Sequence, residues 1–282
     1  MKATGWRSLG ALAGAAGGVA LGFGITKGFE ANVGFGFLAL GGLIVLCVVL
    51  YLVARTQATA ETWSGEFMPG VLLGLNTGVN AVLLAVIFTP VAIVICLIPA
   101  LAVIEPVARS NIYQAFLGWG NLALPMSWVI VGLGLLFLIF SGILALINLA
   151  IKSNFLKIEA FDLDWKTGTS FLVGGLAGNS NLAKGSPGYN MGNFAFLTSG
   201  NAADAHLVEH EAGHTLNLAI WGTVVHLIGA LDENVFGGHA NAYTELFAES
   251  NVPPAGREGP IFPMWGPVTA TAVAPTALAT PA

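Results

Sequence analysis

Four apolar runs dominate the first half of the chain. Residues 9–25 are rich in Gly and Ala, and residues 35–54 are dense in Leu, Val and Ile. Residues 71–104 form a longer run broken by Asn76, Asn80, Pro90 and Pro99, and residues 128–151 are almost free of polar groups. Roughly 20 apolar residues cross a bilayer, so the pattern predicts about four transmembrane helices. The third run exceeds one crossing, and its prolines would kink it or split it into a re-entrant pair, which gives five as the alternative. Past Lys152 the pattern changes. Residues 155–164 alternate as a strand does, 165–168 read as a turn, and 169–174 read as a second strand. Residues 174–189 are rich in Gly, Asn and Ser and read as a loop, followed by a short strand over 190–197. A helix is expected to begin near Asp204 or Ala205. The Pro-, Ala- and Thr-rich stretch from residue 252 reads as disordered.

The expected organisation is therefore an α-helical membrane domain over residues 1–151, a small α+β domain over 152–251, and a disordered tail over 252–282. Composition agrees with a lipid environment. Hydrophobic residues make up 55% of the chain and charged residues 9%, against roughly a quarter charged in soluble domains. The net charge of -5 and the absence of any Lys/Arg run argue against a nucleic-acid partner. Cys47 and Cys96 both lie in apolar runs and read as packing residues, not as a disulfide. The first run has a second reading as a signal peptide led by Lys2 and Arg7, but Phe23 and Ile25 spoil a small-residue cleavage site.

Orientation follows the flanking basic residues. With four spans, Lys2, Arg7, Arg55, Lys152 and Lys157 fall on one side, opposite Lys27 and Arg109. That places both termini and the C-terminal domain in the cytoplasm, whereas an extra crossing in the third run would move the C-terminal part outside.

All five histidines lie between His206 and His239, and two of them belong to His210-Glu211-Ala212-Gly213-His214. On a helix, residues four apart share a face, so His210 and His214 can address one metal ion, with Glu211 beside it as general base. This His-Glu-x-x-His pattern is that of zinc hydrolases. A metzincin would continue with Gly and His at the positions held here by Asn217 and Ile220, which excludes that family. His206 reads as a polar helix-face residue, and His226, in an apolar segment, as a satisfied buried histidine. His239 and Tyr243 are candidates to polarise a substrate carbonyl or stabilise an oxyanion, with surface or packing roles as the alternative.

The segment Tyr243-Thr-Glu-Leu-Phe-Ala-Glu249 resembles the Glu-x-x-Ala-Asp element of gluzincin peptidases. The resemblance implies that Glu245 is the third zinc ligand and that Glu249, one turn on, supports a ligating histidine. Glu in place of the usual Asp lengthens the reach of that second acid. Glu233 is the alternative third ligand, because the 18 residues between it and His214 match the aminopeptidase-type spacing; His226 and His239 are further alternatives. The stretch Glu209-His-Glu-Ala-Gly-His-Thr-Leu-Asn217, followed by an apolar segment, also resembles bacterial membrane proteins with several spans and a metallopeptidase-like segment. Together these likenesses imply a zincin-like domain with one Zn2+ per chain, anchored in a bacterial inner membrane and acting on peptide or protein substrates. In gluzincin folds a sheet edge strand pairs with the extended substrate, and Asn193, Phe194, Ala195 and Phe196 are placed to form it. The alternatives are a site-2-type intramembrane protease, or an accessory subunit with a vestigial metal site. The Gly-rich spans would suit packing against membrane-protein partners.

Overall fold

The computed structural model describes residues 3–57, 63–180, 187–201, 204–237 and 242–252. The expected disordered tail, from residue 253 on, and His239 lie outside them. Among the described residues, five helices are long and apolar enough to cross a membrane, one more than the expected four. They are α1 (Ala3–Ala31), α2 (Val33–Gln57), α3 (Trp63–Ile87), α7 (Trp128–Ile151) and the stretch Ala205–Val235, which contains the helix α9 (Ala205–Leu231) of the His-Glu-x-x-His motif. Large apolar side chains such as Leu133, Leu136, Phe140 and Leu149 stay exposed along α7, as a lipid-facing helix requires.

Glycine spacing joins α1 to α3. Gly10, Gly14 and Gly18 recur every fourth residue and lie buried on one face of α1. A Cβ at Gly14 would stand 2.1 Å from the Val71 carbonyl oxygen, and one at Gly74 would stand 2.0 Å from that of Ala11. The two backbones are therefore in direct contact, the small-residue packing expected between helices in lipid. The pairing runs Gly10 to Phe67, Gly14 to Val71 and Gly18 to Leu75, so the helices are parallel and α2 is the return.

The third apolar run makes a complete excursion. After α3 the chain returns through a 3-10 stretch, Pro90–Cys96, then α4 (Leu97–Ala100), a second 3-10 turn and α5 (Glu105–Ala108). A 3-10 helix rises about 2.0 Å per residue, so this short return covers more depth than an α-helix of the same length. At its end Glu105 bonds both Arg7 (3.3 Å) and Arg109 (3.0 Å), and Arg7 also pairs with Glu66. Arg109 thus lies on the same side as Arg7, not opposite it as a single crossing would require.

Helix α6 (Asn111–Gly120) and α7 lead into a four-stranded mixed sheet of order β1-β2-β4-β3. Strands β1 (Ile158–Asp164) and β2 (Thr169–Gly174) are antiparallel, β2 and β4 (Phe194–Leu197) are parallel, and β4 and β3 (Gly188–Met191) are antiparallel. The stretch expected as one strand over 190–197 is a hairpin, turned at Gly192 with φ +75°. Strand β4 is consequently interior. The edge expected at Asn193 to Phe196 belongs to β3, and Asn193 instead bonds the Gly118 and Gly168 carbonyls (2.9 and 2.8 Å). The helix α8 (Gly175–Asn179) occupies part of the stretch expected as loop.

Helix α9 reverses direction. Gly222 has φ +73° and ψ 178°, outside helical space. Twelve residues of unbroken helix span about 18 Å, yet the rings of His214 and His226 are 6.2 Å apart. The arm after Gly222 therefore folds back along the arm before it. A helical bond to the Ala219 carbonyl needs helical geometry at Gly222, and Asn76 of α3 donates to that carbonyl instead (3.4 Å). Asn80 steadies Asn76 (3.1 Å) and accepts from Met126 N (2.9 Å). The two asparagines that interrupt the third apolar run thus serve the bend. The largest hydrophobic cluster takes Leu43 and Tyr51 from α2, Leu72 and Val79 from α3, and Leu216, Ile220, Trp221 and Phe247 from the C-terminal half, so the core crosses the boundary expected at 151/152. Cys47 and Cys96 are buried and unbridged.

Two glycine substitutions test these contacts by thermal unfolding in detergent. Gly14→Ala meets backbone and is expected to destabilise by roughly 1–3 kcal/mol, whereas Gly24→Ala, with nothing within 4 Å, should be near neutral. Gly222→Ala places a Cβ 2.5 Å from Asn76 Oδ1 at a left-handed φ, and a loss of roughly 1–3 kcal/mol is expected.

Candidate metal centre

Asp204 caps α9, its side chain accepting from Leu207 N at 3.1 Å. This fixes the start of the helix where the sequence places it and sets His210, Glu211 and His214 about two to three turns further along. Thr215 locks the same turn to the sheet. Its hydroxyl donates to the Gly192 carbonyl (2.7 Å) and accepts from Thr169 (2.8 Å) and from Asn190 (3.0 Å), and its own carbonyl accepts from Asn121 (2.9 Å). Asn190, on the edge strand β3, also bonds the Glu211 carbonyl (2.9 Å).

Helix α10 (Tyr243–Glu249) brings the acids. It crosses α9 where a Cβ on Gly213 would stand 2.5 Å from the Ala248 carbonyl oxygen, so the Gly of the His-Glu-x-x-His motif and the Ala of Glu-x-x-Ala-Glu are small for the same reason. His210 Nε2 and Glu245 Oε2 are 3.0 Å apart, His214 Nε2 and Glu245 Oε1 are 3.2 Å apart, and the two Nε2 atoms are 3.2 Å apart. One ligand atom from each residue lies within 4.8 Å of the others. Two tetrahedral Zn–N bonds of about 2.0–2.1 Å set their nitrogens about 3.3 Å apart, so the spacing of the imidazoles fits a zinc ion. Glu249 completes the arrangement. Its carboxylate meets His210 Nδ1 (3.1 Å) and His206 Nε2 (2.9 Å), which turns His210 Nε2 towards Glu245.

The carboxylates carry the marks of this setting. Burial alone would raise the Glu245 pKa, but the imidazoles of His214 and His210 hold it well below the ordinary carboxylate range. The hydrogen bond with His210 holds Glu249 down at about 2, against the opposing effect of burial. Glu211 is 3% exposed, and its Oε2 has no hydrogen-bond partner among the described residues. A buried carboxylate oxygen left without a donor is uncommon; Glu211 itself lines a cavity of about 210 Å³.

Helix α9 walls that cavity on two sides because of its reversal: His210, Glu211 and His214 from one arm, His226, Leu227 and Ala230 from the other. The edge strand β3 closes a third side with Gly188, Tyr189 and Asn190. Glu233 lines the cavity as well but stands outside the three-residue ligand group. Among the described residues no lysine or arginine lines it, so its charge suits a cation.

Tyr243 does not reach the cavity. Two residues apart on a helix differ by about 200°, so with Glu245 turned inward Tyr243 faces α2. There its ring packs edge-on against Tyr51 and Phe247, at 5.5 and 4.6 Å. The roles of Asn190, Thr215 and His226 were not evident from sequence. Asn190 opens the stretch that reads as a single strand, which gives no sign of its contacts with α9, and only the isolated Gly222 in an apolar run signals the turn that delivers His226.

No protein-family model, curated protein or solved structure matches the chain, so the likeness to gluzincin peptidases rests on these motifs alone.

Proposed function

We propose that the chain is a membrane-anchored, zinc-dependent metallopeptidase. The observation that carries this reading is the buried Glu211 oxygen without a partner, held beside a two-histidine, one-glutamate cluster. A closed structural zinc site uses four protein ligands and has no need of a nearby base, whereas a catalytic site has three ligands and an open position. Bound zinc supplies a water of lowered pKa and polarises the scissile carbonyl. His210, His214 and Glu245 would hold the ion, and Glu249 would keep His210 in the tautomer that presents Nε2. The Glu211 carboxylate would take the proton of the attacking water and return it to the leaving amine. Strand β3, the sheet edge bordering the cavity, offers backbone groups to an extended peptide by strand addition.

The bundle gathers Arg7, Arg55 and Arg109 on one side, with Lys27 near the opposite end of α1. The positive-inside rule makes the arginine side cytoplasmic. The returning arm of α9 ends on that side, where Asp232 meets Arg55. A second reading, an intramembrane protease, draws on the core that α9 shares with α2 and α3. Such enzymes take a third ligand from a later span, whereas the acid grouped with the histidines here is Glu245 of the seven-residue α10.

Two measurements test the proposal. Purified protein is expected to carry one zinc per chain, and Glu211→Gln should keep that zinc while proteolysis falls by about 10²–10⁴-fold. Full activity in Glu211→Gln would remove Glu211 as the base. Glu245→Gln is expected to lower zinc content sharply and Glu233→Gln to leave it near one per chain, as read by elemental analysis after dialysis; the opposite ranking would assign the third ligand to Glu233.

A further inference from the structure

Glu245 can serve as a ligand only if α10 is held in place, and α10 is short. Its first residue follows Ala242, which has no side chain able to accept from the free N–H groups of the opening turn. The acceptor comes from elsewhere. Asp232, 4% exposed, lies just past the end of α9, and its Oδ2 accepts from Tyr243 N at 3.2 Å. The same oxygen accepts from Tyr51 Oη (2.9 Å) and Arg55 Nε (2.8 Å), both on α2. One carboxylate oxygen therefore ties together the returning arm of α9, the start of α10 and a membrane helix. From Tyr243 it is two residues to Glu245.

Resting on the metal-site reading above, we infer that Asp232 is a positioning residue for the metal centre: anchored by Tyr51 and Arg55, it caps α10 and so sets Glu245 at the distance that His210 and His214 require. Asp232 touches none of the three ligands and acts through the helix it holds. Supporting groups of this kind typically change metal affinity by about 10–100-fold when removed. The link also makes the affinity of the site depend on α2, which contributes no ligand.

The test uses the full chain in detergent micelles, stripped with a chelator and titrated with Co(II), whose visible spectrum reports the number and kind of its ligands. Asp232→Asn is expected to weaken Co(II) binding by about 10-fold or more and to move the spectrum towards that of Glu245→Gln. An ion pair that merely stabilises the fold would lower the melting temperature and leave the spectrum of bound Co(II) unchanged. If Asp232→Asn does not fold, Arg55→Gln decides, since Arg55 is one-third exposed at the end of α2 and its loss spares the Asp232 carboxylate. Wild-type spectra with affinities within twofold in the folded variants would overturn the role of Asp232. Failure of the wild-type protein itself to bind Co(II) would instead overturn the metal-site reading on which it rests.

Discussion

Buried charge is the constraint on which the C-terminal half depends. His210 and Glu245 are each 5% exposed or less in a chain that is 55% hydrophobic. A lone ionised carboxylate in such surroundings costs several kcal/mol, so these groups must satisfy one another. They do so in a line that runs from Glu249 to His210, from His210 to Glu245 and on to His214. The surrounding contacts keep that line in register: Asp204 at the head of α9, Thr215 against the sheet, and Asn217 bonded to the Thr244 carbonyl at 3.2 Å.

Close backbone approach is the second requirement, and small residues meet it twice. In the membrane bundle, glycines spaced by four bring α1 and α3 into direct contact where lipid offers no hydrophobic drive for association. At the candidate metal centre, Gly213 and Ala248 do the same for α9 and α10 over a single crossing. A carboxylate on a short side chain can meet an imidazole on the facing helix only at such a separation. The extra methylene of Glu249, relative to the aspartate of the motif it resembles, lets it reach both His206 and His210.

Much of this was legible in the sequence. The His-Glu-x-x-His helix, its start at Asp204, the first two strands and the long apolar helices follow from spacing and hydropathy, which are local signals, while the grouping of Glu245 and Glu249 with His210 is what the resemblance of Glu-x-x-Ala-Glu to the gluzincin element implies. What the sequence hid is non-local. Periodicity cannot show that Gly222 reverses a helix, because the residues on both sides are equally apolar and no proline marks the break. Nor does it reveal that Asn190-Met191-Gly192-Asn193 turns a hairpin, which makes β3 the edge and β4 an interior strand. Arg109 was misplaced because flanking-charge rules need the number of crossings, and a 3-10 return is shorter in sequence than the spans those rules assume.

The reversal at Gly222 links topology to the site. An unbroken α9 of 27 residues would be about 40 Å long, ample for a membrane crossing, and would carry His226 and Glu233 far from His214. The cavity would then lose one of its walls, and Asp232 would sit nowhere near the start of α10. Bent, the same residues stay in contact with α2 and α3 and return beside Tyr51 and Arg55. A left-handed φ carries a steric cost for any residue with a Cβ, and here the space a Cβ would need is already taken by Asn76. Glycine at this position is therefore required by backbone conformation and by packing at once, and the break that prevents a straight crossing also folds α9 into two walls of the cavity.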